Sequence, residues 1–398
     1  MGAIVQNSET SELLGELTTM TGREDPYPRY ERLREIAPLI RADDDALVVT
    51  GYADCATVVR DGRFAHMAPD MLAFIGFPDW RDHPALRLLF TSLLSQNPPD
   101  HTRLRRLVSS AFTARRVQAL RPAIERMVTD LLAGMADSGG DADFIRDFAF
   151  PLPANVIGEL LGVPAPDRAQ FQTLIRDWSQ VLERIDREQL KAADAAAATV
   201  YDYLSGLTEE RRRRPADDLI SAMVEAESAG DRLTGEELLT MAGLLFAAGF
   251  ETTTNLLANG LMALHRHPDA VIGDPALAVE ELLRFDSPVQ LVGRLVFEDV
   301  ELGGTVVEAG ERVVAYLGAG NRDPRRFAEP GRLDLARTDN APLSFGGGIH
   351  YCLGAPLARL EAQIAFPVLR DRVQITGEPT RRNSLTLRGY TAMPAQTL

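Results

Sequence analysis

Over most of the first three quarters of the chain, apolar residues recur every three or four positions, which places them on one face of a helix. This pattern predicts helices over residues 29–36, 103–112, 122–134, 154–161, 168–182, 190–207 and 217–227. Turn-forming residues separate them at Pro98-Pro99, Ser138-Gly139-Gly140 and Arg214-Pro215. The sequence therefore predicts a helical bulk over residues 52–292.

The hydrophobic period changes to two in three shorter regions, 37–51, 293–317 and 373–393, which are predicted to be rich in β-strands. Residues 39–41 and 47–49 predict a hairpin across a run of three aspartates. Residues 1–24 are mostly polar and are interpreted as a flexible leader. Because no internal repeat or low-complexity linker divides the rest, we predict a mainly α protein with small β-sheets and one large domain over 25–398.

One predicted helix is unusually long. Thr234 and Glu237 form a capping box, and the helical pattern then runs to His265. About 30 residues at 1.5 Å each give roughly 45 Å, enough to cross a whole domain. Its centre, residues 249–254, holds a carboxylate together with a glycine and three threonines, and glycine and threonine are poor helix formers. Since threonine hydroxyls can bond to the carbonyl four residues back, we expect a weak point there, with either a functional or a purely structural role.

A glycine-rich segment, 345–354, holds one of only two cysteines in the chain, Cys352. Glycines bring bare backbone close to a neighbour, and Pro356 then suits the first turn of a helix. Cys352 is thus predicted at or just before a helix N-terminus, where the dipole favours a thiolate. Such a thiolate can be a nucleophile, a redox centre or an axial ligand of a flat cofactor; a buried structural cysteine is the alternative.

Composition narrows the class of protein. Asp and Glu number 57 against 42 Lys and Arg, a net charge of −15, which disfavours nucleic-acid binding. Cys55 and Cys352 lie far apart and form no disulfide framework, and Cys55 is predicted to be a buried small hydrophobe. The longest apolar run, 238–250, is too short to span a membrane. We therefore expect a soluble, cytoplasmic protein without a membrane anchor. A monomer is also expected.

Segment 345–354 resembles the haem-binding signature of the cytochrome P-450 family, which reads Phe, two residues, Gly, three residues, Cys, one residue, Gly. Four residues match it in register: Phe345, Gly348, Cys352 and Gly354. In this class a cysteine thiolate holds the haem iron. The resemblance implies haem b as the cofactor, Cys352 as its metal ligand, and Gly346 among the residues that contact it.

The centre of the long helix resembles the family's oxygen-side motif, Ala/Gly-Gly-x-Asp/Glu-Thr-Thr/Ser. Ala248, Gly249, Glu251, Thr252 and Thr253 match in register. The resemblance implies that Ala248 and Gly249 accommodate oxygen and that Glu251 and Thr252 are the catalytic residues that deliver protons.

Two further sets of residues match the family. Four cationic positions imply contacts with the haem propionates: His101, Arg105, Arg294 and His350. A Glu-x-x-Arg motif and a later arginine imply a buried structural trio: Glu281, Arg284 and Arg337.

The resemblance implies a haem-thiolate monooxygenase that inserts one atom of O₂ into a mostly hydrophobic small molecule, by hydroxylation or epoxidation, in natural-product biosynthesis. Substrate contacts are expected from mainly apolar residues: Leu72, Phe74, Phe77, Leu89, Phe90, Val181, Leu182, Leu245, Val289, Leu291, Val292, Thr391 and Ala392. The alternatives are oxidative coupling, peroxide-driven oxidation, or non-catalytic haem or ligand binding.

No flavin or nicotinamide domain is evident in the sequence, so electrons are expected from a ferredoxin and a ferredoxin reductase. Arginines 103, 106, 115 and 116 form a cationic cluster that can dock an acidic ferredoxin; a solvated helix face is the other interpretation.

Overall fold

A computed structural model describes residues 4–69, 71–72, 76–138, 141–179, 181, 187–228 and 233–398. Its helices are α1 Ser8–Leu17, α2 Met20–Glu24, α3 Tyr27–Ile36, α4 Tyr52–Arg60, α5 Pro84–Phe90, α6 Asp100–Ala111, α7 Ala114–Ala119, α8 Arg121–Asp137, α9 Pro151–Leu161, α10 Ala165–Ser179, α11 Arg187–Arg213, α12 Leu219–Ser228, α13 Gly235–Arg266, α14 Pro275–Phe285, α15 Leu317–Gly320 and α16 Ala355–Arg372. The predicted mainly α fold is confirmed, and every predicted helix is found with its ends shifted by a few residues.

The long helix α13 runs through the middle of this helical bulk. Its capping box forms as predicted: Glu237 N–H donates to Thr234 Oγ1 at 3.1 Å, and Thr234 N–H donates to Glu237 Oε2 at 2.8 Å. Most of its residues are buried, and it packs against α9, α11, α14 and α16. Thr252 and Thr253 hydroxyls donate to carbonyls four residues back, at 2.9 and 3.0 Å, and the helix continues through them.

The strands are short: β1 Leu39–Arg41, β2 Leu47–Val49, β3 Phe64–Ala65, β4 Leu291–Val296, β5 Val300–Leu302, β6 Thr305–Val307, β7 Arg312–Tyr316, β8 Val373–Ile375, β9 Thr380–Arg381, β10 Tyr390–Ala392 and β11 Ala395–Thr397. Five form one sheet in the order β1-β2-β7-β4-β3, with β2 and β7 parallel and the other pairs antiparallel. Among the described residues of the predicted helical bulk, the periodicity does not reveal the strand β3, because two residues are too few to show a period.

The interpretation of residues 1–24 as a flexible leader is wrong for the described part. Asn7 caps α1 through Thr10 N–H at 2.9 Å, and Thr19 caps α2. Leu17 is fully buried, and Val5 forms a parallel bridge with Ile40 at the edge of the sheet. The segment is held because its leucines cover the outer face of β1 and α3.

No helix in the described ranges is long and apolar enough to cross a membrane. Cys55 is fully buried, with its Sγ 3.5 Å from the carbonyl oxygens of Val49 and Tyr316, as expected of a small core residue.

Candidate active site

The glycine-rich segment forms a tight loop that ends at the start of α16. Cys352 N–H donates to Phe345 O at 3.0 Å, which closes the loop. Gly346 and Gly348 adopt φ values of +68° and +60°, which side-chain-bearing residues rarely adopt. A Cβ on Gly348 would lie 3.0 Å from the backbone of Arg60, so this glycine also permits close contact with the end of α4. Gly354 caps α16, which places Cys352 two residues before it.

Two opposing effects act on the pKa of the Cys352 thiol. Desolvation by the surrounding protein raises it, and the N–H groups of Gly354 and Ala355 and the Arg105 guanidinium lower it by less. Binding to a metal ion deprotonates such a thiol outright.

Cys352 opens onto a cavity of about 300 Å³, called here the cysteine cavity. Phe345, Gly346 and Gly354 line it beside the cysteine. The wall formed by α13 contributes Leu245, Ala248, Gly249, Thr252 and Thr253. The loop and the weak centre of α13, far apart in the sequence, therefore share one mostly apolar chamber.

A cluster of cationic and imidazole side chains lines the same cavity. His101, Arg105, Arg294 and His350 lie there, as the resemblance implies, together with His66, which the sequence did not single out. The His350 ring packs 4.5 Å from that of His66 and 4.2 Å from that of His101. His66 comes into place because β3 pairs with β4, with Ala65 opposite Leu295, so that the residues just beyond, His66 and Arg294, approach each other.

The protein itself provides few hydrogen-bond partners for these side chains. Within the described ranges, four buried ring nitrogens have no hydrogen-bond partner: His66 Nε2, His101 Nδ1, His101 Nε2 and His350 Nε2. Burial and the nearby positive charges lower the pKa of His66 to about 2 and that of His350 to about 3, and burial lowers the pKa of Arg294 to about 10. A ligand with two carboxylates, such as a haem, fits this cluster because it would supply the missing acceptors and the opposing charge.

A buried acid also faces the cysteine cavity. Glu361, on α16, is only 1% exposed, and its Oε2 has no partner among the described residues. Burial raises its pKa well above the usual value for Glu. Sequence analysis did not single out Glu361, since a glutamate within a helix is normally solvated.

A larger cavity of about 800 Å³, the outer cavity, lies on the other side of α13. Glu251 and Thr254 line it, and neither lines the cysteine cavity. Glu251 is 4% exposed and forms an ion pair with Arg382, another residue that the sequence did not single out. Cys352 lines the smaller of the two cavities, so the larger cavity is not the one that holds the expected metal ligand.

The predicted structural trio comes together around the Glu281 carboxylate. Glu281 and Arg284 are fully buried, and both Arg284 Nε and Nη2 donate to the Glu281 carboxylate at 2.7 Å. Arg337 Nε donates to it at 3.1 Å, and Asn340 Nδ2 at 3.0 Å. Asp334 N–H adds a fifth hydrogen bond at 2.9 Å. The trio therefore ties α14 to the chain before the loop.

The predicted substrate residues separate into groups. Those that line the cysteine cavity are Leu245, Val289 and Val292, and those that line the outer cavity are Leu291 and Thr391. Six line neither cavity: Leu72, Phe77, Leu89, Phe90, Val181 and Ala392. Leu72, Leu89 and Val181 are buried in the core instead, because their segments pack inward. Phe74 and Leu182 lie outside the described residues. Cavity residues that sequence analysis missed include Leu93, Leu94, Ile157, Met241 and Leu244.

The arginine cluster near α6 is partly neutralised. Arg103 pairs with Glu237, and Arg116 Nη2 lies 3.3 Å from Asp217 Oδ1. Arg106 and Arg115 are exposed. The cluster is therefore less cationic than the sequence suggests.

Comparisons with known proteins agree with this geometry. The family description "Cytochrome P450" matches residues 89–271 and 276–372. The chain is 43% identical over 366 residues to cytochrome P450 monooxygenase PikC of Streptomyces venezuelae, covering 87% of this chain and 84% of the relative. It is 41% identical over 362 residues to the mycinamicin IV hydroxylase/epoxidase of Micromonospora griseorubida, covering 87% of each.

Among solved structures, P450BioI in complex with hexadec-9Z-enoic acid ligated acyl carrier protein superimposes with a TM-score of 0.87 at 34% identity. The match covers 95% of this chain and all of that chain.

Proposed function

This chain belongs to the cytochrome P450 family and is a haem-thiolate monooxygenase, and from this premise we propose which of its residues bind, position and supply protons. The observation that carries the proposal is that Cys352 and the Ala248–Thr252 segment of α13 line one chamber with a cluster of unsatisfied imidazoles.

The cofactor is proposed to be haem b, held by Cys352 through its iron. When bound, it supplies the activation of O₂ and the transfer of one oxygen atom, with the thiolate favouring O–O cleavage. His66, His101, Arg105, Arg294 and His350 bind its two carboxylates. Ala248 and Gly249 leave room on the α13 side because their side chains are small.

Proton delivery is proposed for Glu251 and Thr252. Splitting O₂ consumes protons in a chamber that is otherwise apolar, so a carboxyl and a hydroxyl must carry them. Thr252 Oγ1 donates to Ala248 O at 2.9 Å, and this bond must open for the hydroxyl to serve the chamber. The leucines and valines around it exclude bulk water and so prevent loss of the oxidant to solvent.

The substrate is proposed to be a mostly hydrophobic natural product, which the chain hydroxylates or epoxidises. The apolar lining of the cysteine cavity and the 41% identity to a mycinamicin IV hydroxylase/epoxidase support this. Leu245, Val289 and Val292 line that cavity and contact the substrate.

Electrons come from a separate redox partner protein. We propose a ferredoxin and its reductase, with the exposed Arg106 and Arg115 contributing to docking.

The test compares two ways of driving the enzyme. Purified holoenzyme is first screened with hydrophobic natural products for a shift in the haem spin state. With the compound that shifts it most, product is then measured under reduced ferredoxin and O₂, and separately under hydrogen peroxide. Thr252→Ala should lose roughly 100-fold of the ferredoxin-driven product and keep the peroxide-driven product, because peroxide brings its own protons.

Thr252→Ser is the matched control, since it keeps the hydroxyl, and should retain most of the ferredoxin-driven activity. If wild-type enzyme forms product only with peroxide, or if Thr252→Ala is as active as wild type with ferredoxin, the proposed use of O₂ through Thr252 is wrong.

A further inference from the structure

Adjacent residues on α13 face different chambers. Thr252 lines the cysteine cavity, whereas Glu251 lines the outer cavity with Thr254. Successive residues on an α-helix are about 100° apart around its axis, so a carboxylate and a hydroxyl at neighbouring positions diverge. The direction of the Glu251 side chain therefore determines the distance between its carboxyl group and the Thr252 hydroxyl, to which it is proposed to supply protons.

A hairpin near the C-terminus, formed by β9, β10 and the residues between them, contacts α13 at every fourth residue. Arg382 pairs with Glu251, Gly389 lies against Asn255, and Asn259 Nδ2 donates to Arg388 O at 2.9 Å. Positions 251, 255 and 259 lie on one face of a helix. The hairpin thus follows one stripe of α13, and at Glu251 this stripe faces the outer cavity.

The backbone of Arg382 is held firmly on this stripe. Its N–H donates to Gly389 O at 3.1 Å. A Cβ on Gly389 would lie 1.9 Å from Asn255 Oδ1, so glycine is needed for the close approach. The guanidinium of Arg381 packs 3.9 Å from the centre of the Tyr390 ring and 3.5 Å from Asn259 Oδ1. The backbone of Arg382 is therefore fixed beside α13, and its side chain reaches Glu251 from there.

The ion pair is shielded from water. The side chains of Glu251 and Arg382 are only 6% and 17% exposed. A shielded pair of opposite charges is weakly screened by salt, and removing one partner leaves a buried charge without compensation. The carboxylate cannot leave the guanidinium without that cost.

We propose that Arg382 is a positioning residue that holds the Glu251 carboxylate on the outer-cavity side of α13 and sets how readily it reaches Thr252. This inference rests on the proposed role of Glu251 in proton delivery. It assigns to the C-terminal hairpin, which also presents Thr391 to the outer cavity, a part in the proton route.

The first test is a double-mutant cycle in the thermal unfolding of holoenzyme. Glu251→Gln and Arg382→Gln should each lower the unfolding midpoint by roughly 3 °C, and the double variant should lower it no further than the larger single change. Arg23→Gln is the matched control, because Arg23 lines the same cavity and contacts Asn383 of the hairpin without an ion pair to Glu251 in the structure.

The second test measures oxygen consumption with spinach ferredoxin and its reductase, which needs no knowledge of the substrate. Because Arg382→Gln frees the carboxylate to turn toward Thr252, kcat should rise by up to about tenfold, KM for ferredoxin should stay unchanged and the solvent deuterium isotope effect should change. Arg382→Lys should stay close to the wild-type rate because it keeps the cation, and Arg23→Gln should match wild type.

The outcomes separate this inference from the function it rests on. Additive losses of stability in the cycle would show that the two side chains do not act as a pair, and would overturn it. The unfolding cycle could show coupling while Glu251→Gln consumes oxygen slowly and Arg382→Gln consumes it at the wild-type rate. That result would overturn the positioning role of Arg382 and leave the proposed function standing. Normal oxygen consumption by Glu251→Gln would overturn both.

Discussion

Replacing Glu281 by glutamine tests whether the buried trio stabilises the fold around the cysteine loop. The carboxylate accepts five hydrogen bonds, two of them from Arg284, which is itself fully buried. Glutamine keeps the shape but loses the charge and turns an N–H₂ group toward donors. Arg284 is then a buried cation without its counter-ion, which costs about 3–5 kcal/mol of the free energy of unfolding.

That free energy converts into a change of melting temperature. Unfolding entropy of about 2.1 cal/mol/K per residue gives roughly 0.8 kcal/mol/K for a chain of 398 residues. The expected fall is therefore about 4–6 °C, measured by calorimetry or circular dichroism. Haem content should fall as well, because Arg284 also donates to the carbonyls of Asn321, Pro330 and Arg332, close in sequence to the loop.

Glu280→Gln is the matched control at the adjacent position. Glu280 accepts from Arg359 Nε at 2.5 Å and from Nη2 at 3.1 Å, but the two side chains are 21% and 28% exposed. A pair with this access to solvent contributes about 1 kcal/mol or less, so the melting temperature should fall by only about 1 °C. Equal effects of the two substitutions, or a change below about 1 °C for Glu281→Gln, would refute the reasoning.

Three further predictions concern stability and cofactor retention. His83 Nδ1 lies 2.7 Å from Asp194 Oδ2, and that hydrogen bond raises the pKa of His83 above 6.5. The stability that the pair contributes is therefore fully present below about pH 6.5 and is lost as the pH rises through the raised pKa, so the difference in melting temperature between wild type and His83→Gln should shrink from about pH 6 to pH 8. A difference that stays constant with pH would contradict the pair. Gly260→Ala would place a Cβ 2.2 Å from Phe366 Cζ, between α13 and α16, and should lower the free energy of unfolding measured in urea by about 1–3 kcal/mol. Gly134→Ala is the control: a Cβ there would have no neighbouring atom within 4 Å, so the change should be neutral or stabilising. Equal effects of the two substitutions would refute the close contact at Gly260. Arg105→Gln should speed haem loss to apomyoglobin by about tenfold, because one charged hydrogen bond to a carboxylate is lost, and an unchanged rate would exclude Arg105 from haem binding.

Sequence reasoning succeeded where local chemistry dictates the conformation. The capping box of Thr234 and Glu237 starts α13 where predicted, and Gly346 and Gly348 of the cysteine loop adopt conformations that favour glycine. Such features depend only on residues close together in the sequence, so they can be recognised from one sequence alone.

What the sequence missed depends on contacts between distant segments. His66 joins the imidazole cluster through the pairing of β3 with β4, and Arg382 reaches Glu251 through a hairpin 131 residues further along the chain. Nothing in the local sequence distinguishes Arg382 from its neighbours Arg381 and Arg388 as the partner of Glu251. In the N-terminal segment, the leucines of α1 do form an apolar face, but the polar majority around them concealed it.

Iron X-ray absorption on purified holoenzyme tests the central claim most directly, since the claim is that the sulfur of Cys352 binds the haem iron. Wild type and Cys55→Ser should both show one sulfur in the first coordination shell of the iron, and Cys352→Ser should show none. A sulfur neighbour that persists in Cys352→Ser, or one that is absent from wild type, would contradict the account.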